Sequence, residues 1–287
     1  MSADFSHITI LGGGLLGGSL AMALESLQNP PRVQLWARNP ATIAAASRLG
    51  IRNATDDLAH AVAHTDLLVL AVPVGAMADL TALALLAGLP TTCLVTDVGS
   101  VKRAPHQCLS PLLAPHGIPF IGSHPMAGSE RVGIAAARPG LFEGAACLLT
   151  HDDATRPALV EPLERFWQSV GCLTTWMSAP THDALVARIS HLPHILAASA
   201  ARVCLQNPLE GCFGGGGLRD TTRIASGPPD MWAEILIENR EALVAPLRET
   251  LADLTEILAH LENAAQEPAQ QWLTTAKERR DLLQSPS

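Results

Sequence analysis

Gly12-x-Gly14-x-x-Gly17 stands directly between a short β-branched run, His7–Leu11, and a helix-compatible stretch with apolar Leu20, Ala23, Leu24 and Leu27. Three glycines so placed restrict a chain severely. The first permits a tight turn, the second lets the backbone approach a ligand, the third lets the helix pack on the sheet, and the helix N-terminus attracts phosphate. The turn therefore predicts a strand-turn-helix unit that binds a dinucleotide; a glycine turn of purely structural use is the alternative. Residues 5–24 also carry no charge and could be taken for a signal peptide. No Lys or Arg precedes them and five glycines interrupt them, which argues against export.

The pattern continues past the turn. Residues 33–37 read as a second strand, 40–49 as a helix, and 66–73 (DLLVLAVP) as a nearly continuous apolar run of the kind a parallel strand buried on both faces shows. Residues 92–97 and 118–122 repeat that pattern, each after a helical stretch. Alternating strands and helices imply right-handed βαβ units, hence a doubly wound, Rossmann-type parallel sheet in an α/β chain. Residues 145–150 and 172–177, flanking a helix over 156–170, extend the same sheet. A domain boundary near Ser178 follows, dividing the chain into a dinucleotide-binding domain of residues 1–178 and a helical domain of residues 179–287. The helical domain comprises stretches over 181–205 and 232–261, then a polar, frayed tail over 278–287. Leu243, Leu247, Leu251, Leu254 and Leu258 recur at helical spacing and exceed what a monomer's surface helix needs, so the helical domain is expected to form a homodimer.

A chain of 287 residues has room for two such domains. Against 27 acidic side chains stand 19 Lys plus Arg, a net charge of −8, so no overall basic field exists for a nucleic acid or an anionic membrane, and an anionic ligand needs a locally built site. Only Lys102 and Lys277 are lysines. The six cysteines form no C-x-x-C pair and mostly sit in apolar stretches. They read as reduced core residues of a cytoplasmic protein.

Four segments outside the glycine turn carry candidate chemistry. At the end of the second strand, Trp36-Ala37-Arg38-Asn39 lacks the acid that receives the ribose hydroxyls of NAD, and Arg38 offers a cation for a 2′-phosphate, so NADP is expected to be preferred over NAD. His124, in Gly122-Ser123-His124-Pro125-Met126-Ala127-Gly128, reads as a loop histidine able to accept a proton near neutral pH. In Ser190-His191-Leu192-Pro193-His194 the proline marks a kink, and the two histidines share a face without the further ligands a metal needs. Gly214 to Gly217 run into Leu218-Arg219-Asp220-Thr221-Thr222-Arg223, where Asp220 and Arg223 could pair on one helical turn and Arg223 suits capture of a carboxylate.

Taken in order, GGGLLGGSLA, DLLVLAVPV, TDVGSVK, IGSHPMAGSE, LFEGAACLLT, ISHLPH, GGGLRDTTRIA and MWAEILIENREAL resemble the prephenate and arogenate dehydrogenase family of tyrosine biosynthesis. The resemblance runs from Gly12 to Arg240, and the chain length leads us to expect the stand-alone dehydrogenase form. It implies oxidative decarboxylation of prephenate or arogenate, with hydride passing to NAD(P) and 4-hydroxyphenylpyruvate or tyrosine as product; no metal is implied. His124 matches the family's catalytic histidine, and Ser100 the serine beside it and the nicotinamide. Arg223 matches the arginine that binds the substrate carboxylate, Asp220 the acid that positions it, and one of His191 and His194 a substrate-side histidine. Around the cofactor the resemblance implies Gly12, Gly14, Leu15, Leu16 and Gly17 from the turn, with Val72, Pro73 and Ser100 from the later strand ends; Arg38 joins them on the strand-end reading. Two alternatives share the glycine turn. A β-hydroxyacid dehydrogenase-like reductase resembles the architecture but calls for a lysine on the helix of residues 181–205, which has none, and a non-enzymatic dinucleotide sensor would need neither His124 nor Arg223.

Overall fold

The computed structural model describes residues 4–129, 131–151 and 157–283. Eight strands form one sheet: β1 (His7–Leu11), β2 (Arg32–Trp36), β3 (Ala54–Thr55), β4 (Leu67–Leu70), β5 (Leu94–Asp97), β6 (Phe120–Pro125), β7 (Ala146–Thr150) and β8 (Leu173–Met177). Their spatial order is β3-β2-β1-β4-β5-β6-β7-β8. The direction of winding reverses between β1 and β4, which opens a crevice at the carboxyl ends of those two strands, where such sheets bind ligands. Alternate side chains serve opposite faces. Leu67 and Val69 enter one core with Ile8, Ile10 and Leu20, whereas Leu68 and Leu70 enter the other with Met77, Val95 and Phe120.

The sheet departs from an all-parallel one. β6 pairs with β7 antiparallel, Gly122 opposite Thr150 and His124 opposite Leu148, while β7 and β8 run parallel. That pairing carries β6 beyond Gly122 to Pro125, so His124 is a strand residue and not the loop residue expected from its Pro and Gly neighbours. Met126 N donates to Ala146 O (2.7 Å), holding the strand's end after proline interrupts the donor pattern.

Helices follow Met177. The stretch expected as one helix over 181–205 is Ala179–Val186, a π-helical turn Ala187–His191, and Leu192–Cys204. Pro193 has no N–H to return to the preceding turn, and the widened turn sits where that bond would have closed. The stretch expected over 232–261 likewise divides into Pro229–Glu238 and Arg240–Glu262 at Asn239, whose side chain is drawn away to the neighbouring helices. Of the tail expected to fray over 278–287, the first part is instead helical through Asp281, in Gln266–Asp281, and residues 284–287 lie outside the described residues. Of the helix expected over 156–170, residue 156 lies outside the described residues and the rest is the helix Pro157–Ser169. All six cysteines are free, but Cys204 and Cys212 are exposed and so are not core residues, because their helices end on the surface. Among the described residues no helix is long and apolar enough to cross a membrane.

Among the contacts that join the sheet to the helices, two lie on the crevice side. Ile235 packs into the second core, and the Glu234 carboxylate accepts from Gly75 N at 2.5 Å, at the start of the helix Val74–Leu86.

Candidate active site

The glycine turn is shaped by close packing on one side and left open on the other. Gly12 has φ 122°, and a Cβ there would lie 2.2 Å from Ala71 O, so the turn presses directly on the chain leaving β4. A Cβ on Gly17 would come within 1.9 Å of Gly12 O. Gly14 differs: nothing lies within 4 Å of its Cβ direction, and it caps the helix Leu15–Glu25 with no side-chain bond and no acid in the first turn. The first N–H groups of that helix, at half-buried Leu15 and Leu16, thus begin beside open space, as a pyrophosphate requires. Val72 packs by the turn and Pro73 starts the helix Val74–Leu86, so both stand at the crevice. Arg38 is exposed just past β2, and the Asn39 side chain is committed to capping the next helix through Ala41 N at 2.9 Å. These residues fit a dinucleotide.

His124 lies near the carboxyl end of β6 with 7% of its surface exposed. Its Nδ1 is 2.9 Å from His182 Nε2, and His182 Nδ1 is 2.8 Å from Asp183 Oδ1. Asp183 also accepts from Lys102 N (2.8 Å) and Arg103 N (3.0 Å), which brings the first helix of the helical domain onto the loop after β5. Lys102 is wholly buried and paired with Asp97. The Asp97 carboxylate in turn accepts from Gly99 N at 2.9 Å and Ser123 N at 3.1 Å, which sets the loop that carries Ser100 beside the strand that carries His124.

Burial, reinforced by His182, Lys102 and His191, holds the pKa of His124 well below its usual 6.5. Burial also depresses His182, against the opposing hydrogen bond to Asp183. For Asp183 burial works upward, yet the bonds from His182 and from the backbone of Arg103 and Lys102 leave it below the usual carboxylate value. Lys102 is lowered by burial, with Asp97 opposing.

His191 and His194 occupy one wall. His194 stacks on Trp232, centroids 3.5 Å apart and 9° between planes, and His191 meets the same indole edge-on at 6.2 Å. Asn239 Nδ2 donates to Asp183 O (2.9 Å) and to His191 Nδ1 (3.0 Å). Burial brings His191 to about 4 and lowers His194; the Ser100 carbonyl works in the opposite direction on His191. Ser100, His124 and His191 are therefore brought together. Asp220 and Arg223 are exposed: Asp220 is in the helix Gly216–Thr222, and Arg223 opens the turn Arg223–Ser226, which packs on the helix Leu192–Cys204.

Five residues at this centre escaped the sequence reading: Asp97, Lys102, His182, Asp183 and Asn239. The adjacent pair His182-Asp183, one turn into a helix and seven or more residues before Ser190-His191, was the one visible signal. Asp97 and Lys102 pair five positions apart, but their bonds to Ser123 and Asp183, and those of Asn239, reach partners 26 to 81 positions away.

A glycine turn at the switch point of a doubly wound sheet, with a buried neutral histidine at the carboxyl end of the same sheet, fits an NAD(P)-dependent dehydrogenase. The family model for the prephenate dehydrogenase nucleotide-binding domain matches residues 20–175, and that for the prephenate dehydrogenase dimerization domain matches residues 178–275. The chain belongs to the prephenate dehydrogenase family. It is 33% identical to prephenate dehydrogenase of Bacillus subtilis over 281 residues, covering 96% of this chain and 76% of the relative. It is 34% identical to cyclohexadienyl dehydrogenase of Zymomonas mobilis over 260 residues, 88% of this chain and 87% of the relative. The crystal structure of prephenate dehydrogenase from Aquifex aeolicus, in complex with hydroxyphenyl propionate and NAD+, superposes with a TM-score of 0.86 at 29% identity, covering 98% of this chain and 99% of that one.

The depressed histidine predicts a pH profile. A base must be neutral, and His124 stays neutral below pH 6.5, the value of an exposed histidine. The acid limb of kcat/KM assigned to this residue should fall below pH 6.5, and a limb at or above that value would show that the ring is not shielded as described.

Proposed function

We propose that the chain oxidatively decarboxylates prephenate or arogenate, with His124 as general base. The observation that carries this reading is a buried, neutral His124 at the carboxyl end of β6, beside the Ser100 loop and at the same edge of the sheet as the crevice that fits a dinucleotide. The nicotinamide, when bound, supplies the acceptor for the hydride that leaves the ring carbinol carbon. His124 takes the carbinol proton as that hydride departs. Loss of the ring carboxylate as CO2 leaves its bonding pair in the ring, and the oxygen of the new aromatic ring takes the proton back from His124, giving 4-hydroxyphenylpyruvate or tyrosine. Ser100 orients the base, Arg223 binds a substrate carboxylate with Asp220 positioning it, and His191 with His194 on Trp232 forms the substrate-side wall. In a chain of net charge −8 the anionic substrate depends on such fixed cations.

NADP is the preferred cofactor in this reading. The support is local: no carboxylate ends β2, Asn39 is occupied as a cap, and the exposed Arg38 is available to a 2′-phosphate. The division at residue 178 is supported by the two family models, which end at 175 and begin at 178. Leu243, expected with the other leucines on the dimer face, is buried in its own chain; a homodimer through the helical domain accounts for the far end of that apolar side of the helix Arg240–Glu262, where Leu251, Leu254 and Leu258 are 57, 47 and 52% exposed.

The assay pairs both substrates with both cofactors. His124→Asn should bind dinucleotide normally and lose ~10²–10⁴-fold in kcat, whereas Arg223→Ala should raise KM roughly 10- to 150-fold, the equivalent of a charge-assisted bond of ~1.5–3 kcal/mol. Near-native turnover by His124→Asn would remove it from the reaction, and an unchanged KM would remove Arg223 from the substrate. For the cofactor, kcat/KM of the native protein should favour NADP by up to that same factor, and Arg38→Asp should reverse the ratio; a native preference for NAD refutes the inference from Arg38. Light scattering at micromolar concentration should give the dimer mass, and a monomer would leave the leucines of the long helix without the proposed cover.

A further inference from the structure

His182 and Asp183 line up behind His124 with a geometry that domain packing does not require. Asp183 Oδ2 caps the helix Arg103–Leu113 through Arg103 N, and Oδ1 accepts from Lys102 N; both contacts would hold the helical domain without His182. Yet Oδ1 also meets His182 Nδ1, and His182 turns its other nitrogen onto His124. All three side chains are buried, at 7, 0 and 1% exposure, so water does not compete for these bonds.

Chemistry assigns the protons along this line. A carboxylate that already holds two backbone donors only accepts, so His182 Nδ1 carries a proton and donates it to Asp183. A neutral His182 then has its lone pair on Nε2. The facing nitrogen, His124 Nδ1, must be the donor. His124 is left with its lone pair on Nε2, the nitrogen turned away from the line. We propose that Asp183 and His182 are positioning residues which, acting in series, hold His124 in the tautomer whose Nε2 accepts the substrate proton, and that they shelter the charge that follows. Once His124 has accepted that proton, its Nδ1 proton can pass to His182 Nε2, which sets the cation against the Asp183 carboxylate. The groups facing these rings divide by sign: Lys102 and His191 disfavour a cation on His124, Lys102 does so on His182, and Asp183 and Asp97 favour one on His182.

The proposal rests on the reading of His124 as the base, and its test separates the two. In the full-length native protein, ¹⁵N spectra of labelled histidines read the His124 tautomer with no substrate present, and Nδ1 should carry the proton. A proton on Nε2 overturns the proposal. In Asp183→Asn the amide oxygen can keep both bonds made at Oδ1, from Lys102 N and His182 Nδ1, so the tautomer should be kept while the anion that shelters the charge is lost; kcat should fall ~10²-fold or more with KM and dinucleotide affinity unchanged. Native kcat overturns it, as does a loss confined to KM. Because Asp183 also caps a helix, a second pair leaves the cap intact. His182→Gln keeps an acceptor for His124 Nδ1 and should retain much more turnover than His182→Phe, which keeps none; equal kcat in the two variants overturns the proposal. A native protein that shows the Nδ1 tautomer but turns over neither prephenate nor arogenate would support the proton assignment and refute the substrate reading.

Discussion

One buried carboxylate joins the halves of this molecule. Asp183 leaves the helical domain to meet the backbone of Lys102 and Arg103 at the end of the sheet, while its own carbonyl receives Asn239. Removing an anion from water costs several kcal/mol unless its lone pairs are satisfied, and here donors from the backbone and from His182 satisfy them. The bonds are directional, so they fix where the first helix sits as well as that it sits. The position of His182 behind His124, and of the His191 and His194 wall, follows from that placement.

A second buried pair performs the matching task within the sheet. Asp97 ends β5, and its carboxylate reaches forward to Gly99 N, sideways to Ser123 N and across to the Lys102 ammonium. The pair places the Ser100 loop and strand β6 in fixed relation, and it sets a cation that helps keep His124 and His182 neutral at rest. A lysine spent in this way does not contact solvent. Its cost is offset by the rigidity of a site in which positioning carries most of the chemistry. Glu234 and Ile235 add a separate tie between the helical domain and the crevice side of the sheet.

The glycine turn shows how one element serves both folding and binding. Gly12 and Gly17 face backbone oxygens that admit no side chain, while Gly14 faces open space. The first two let the helix and strand β4 close on the turn, and the third keeps the helix N-terminus accessible. The same residues that make the fold compact thus leave an open helix N-terminus that fits a pyrophosphate.

The sequence by itself determined the features that local chemistry controls. Strand-turn-helix at Gly12 to Gly17, the buried apolar runs of β4 and β5, and the break in the helix before Pro193 each follow from side-chain periodicity or from one residue's backbone constraints. Membership of the prephenate dehydrogenase family was legible because GSHPMAGSE and RDTTRIA lie in order along the chain. The antiparallel step at β7 was not legible, since a buried strand has the same apolar pattern in either direction. Nor was the setting of His124: proline and glycine neighbours suggest a loop, and only pairing with Leu148 makes that segment a strand. The line from His124 through His182 to Asp183 spans 59 residues of sequence, and the bond from Asp183 to Lys102 spans 81. Hydrogen bonds between positions so far apart leave no periodicity in the chain, so tertiary structure alone decided which histidine has a carboxylate behind it.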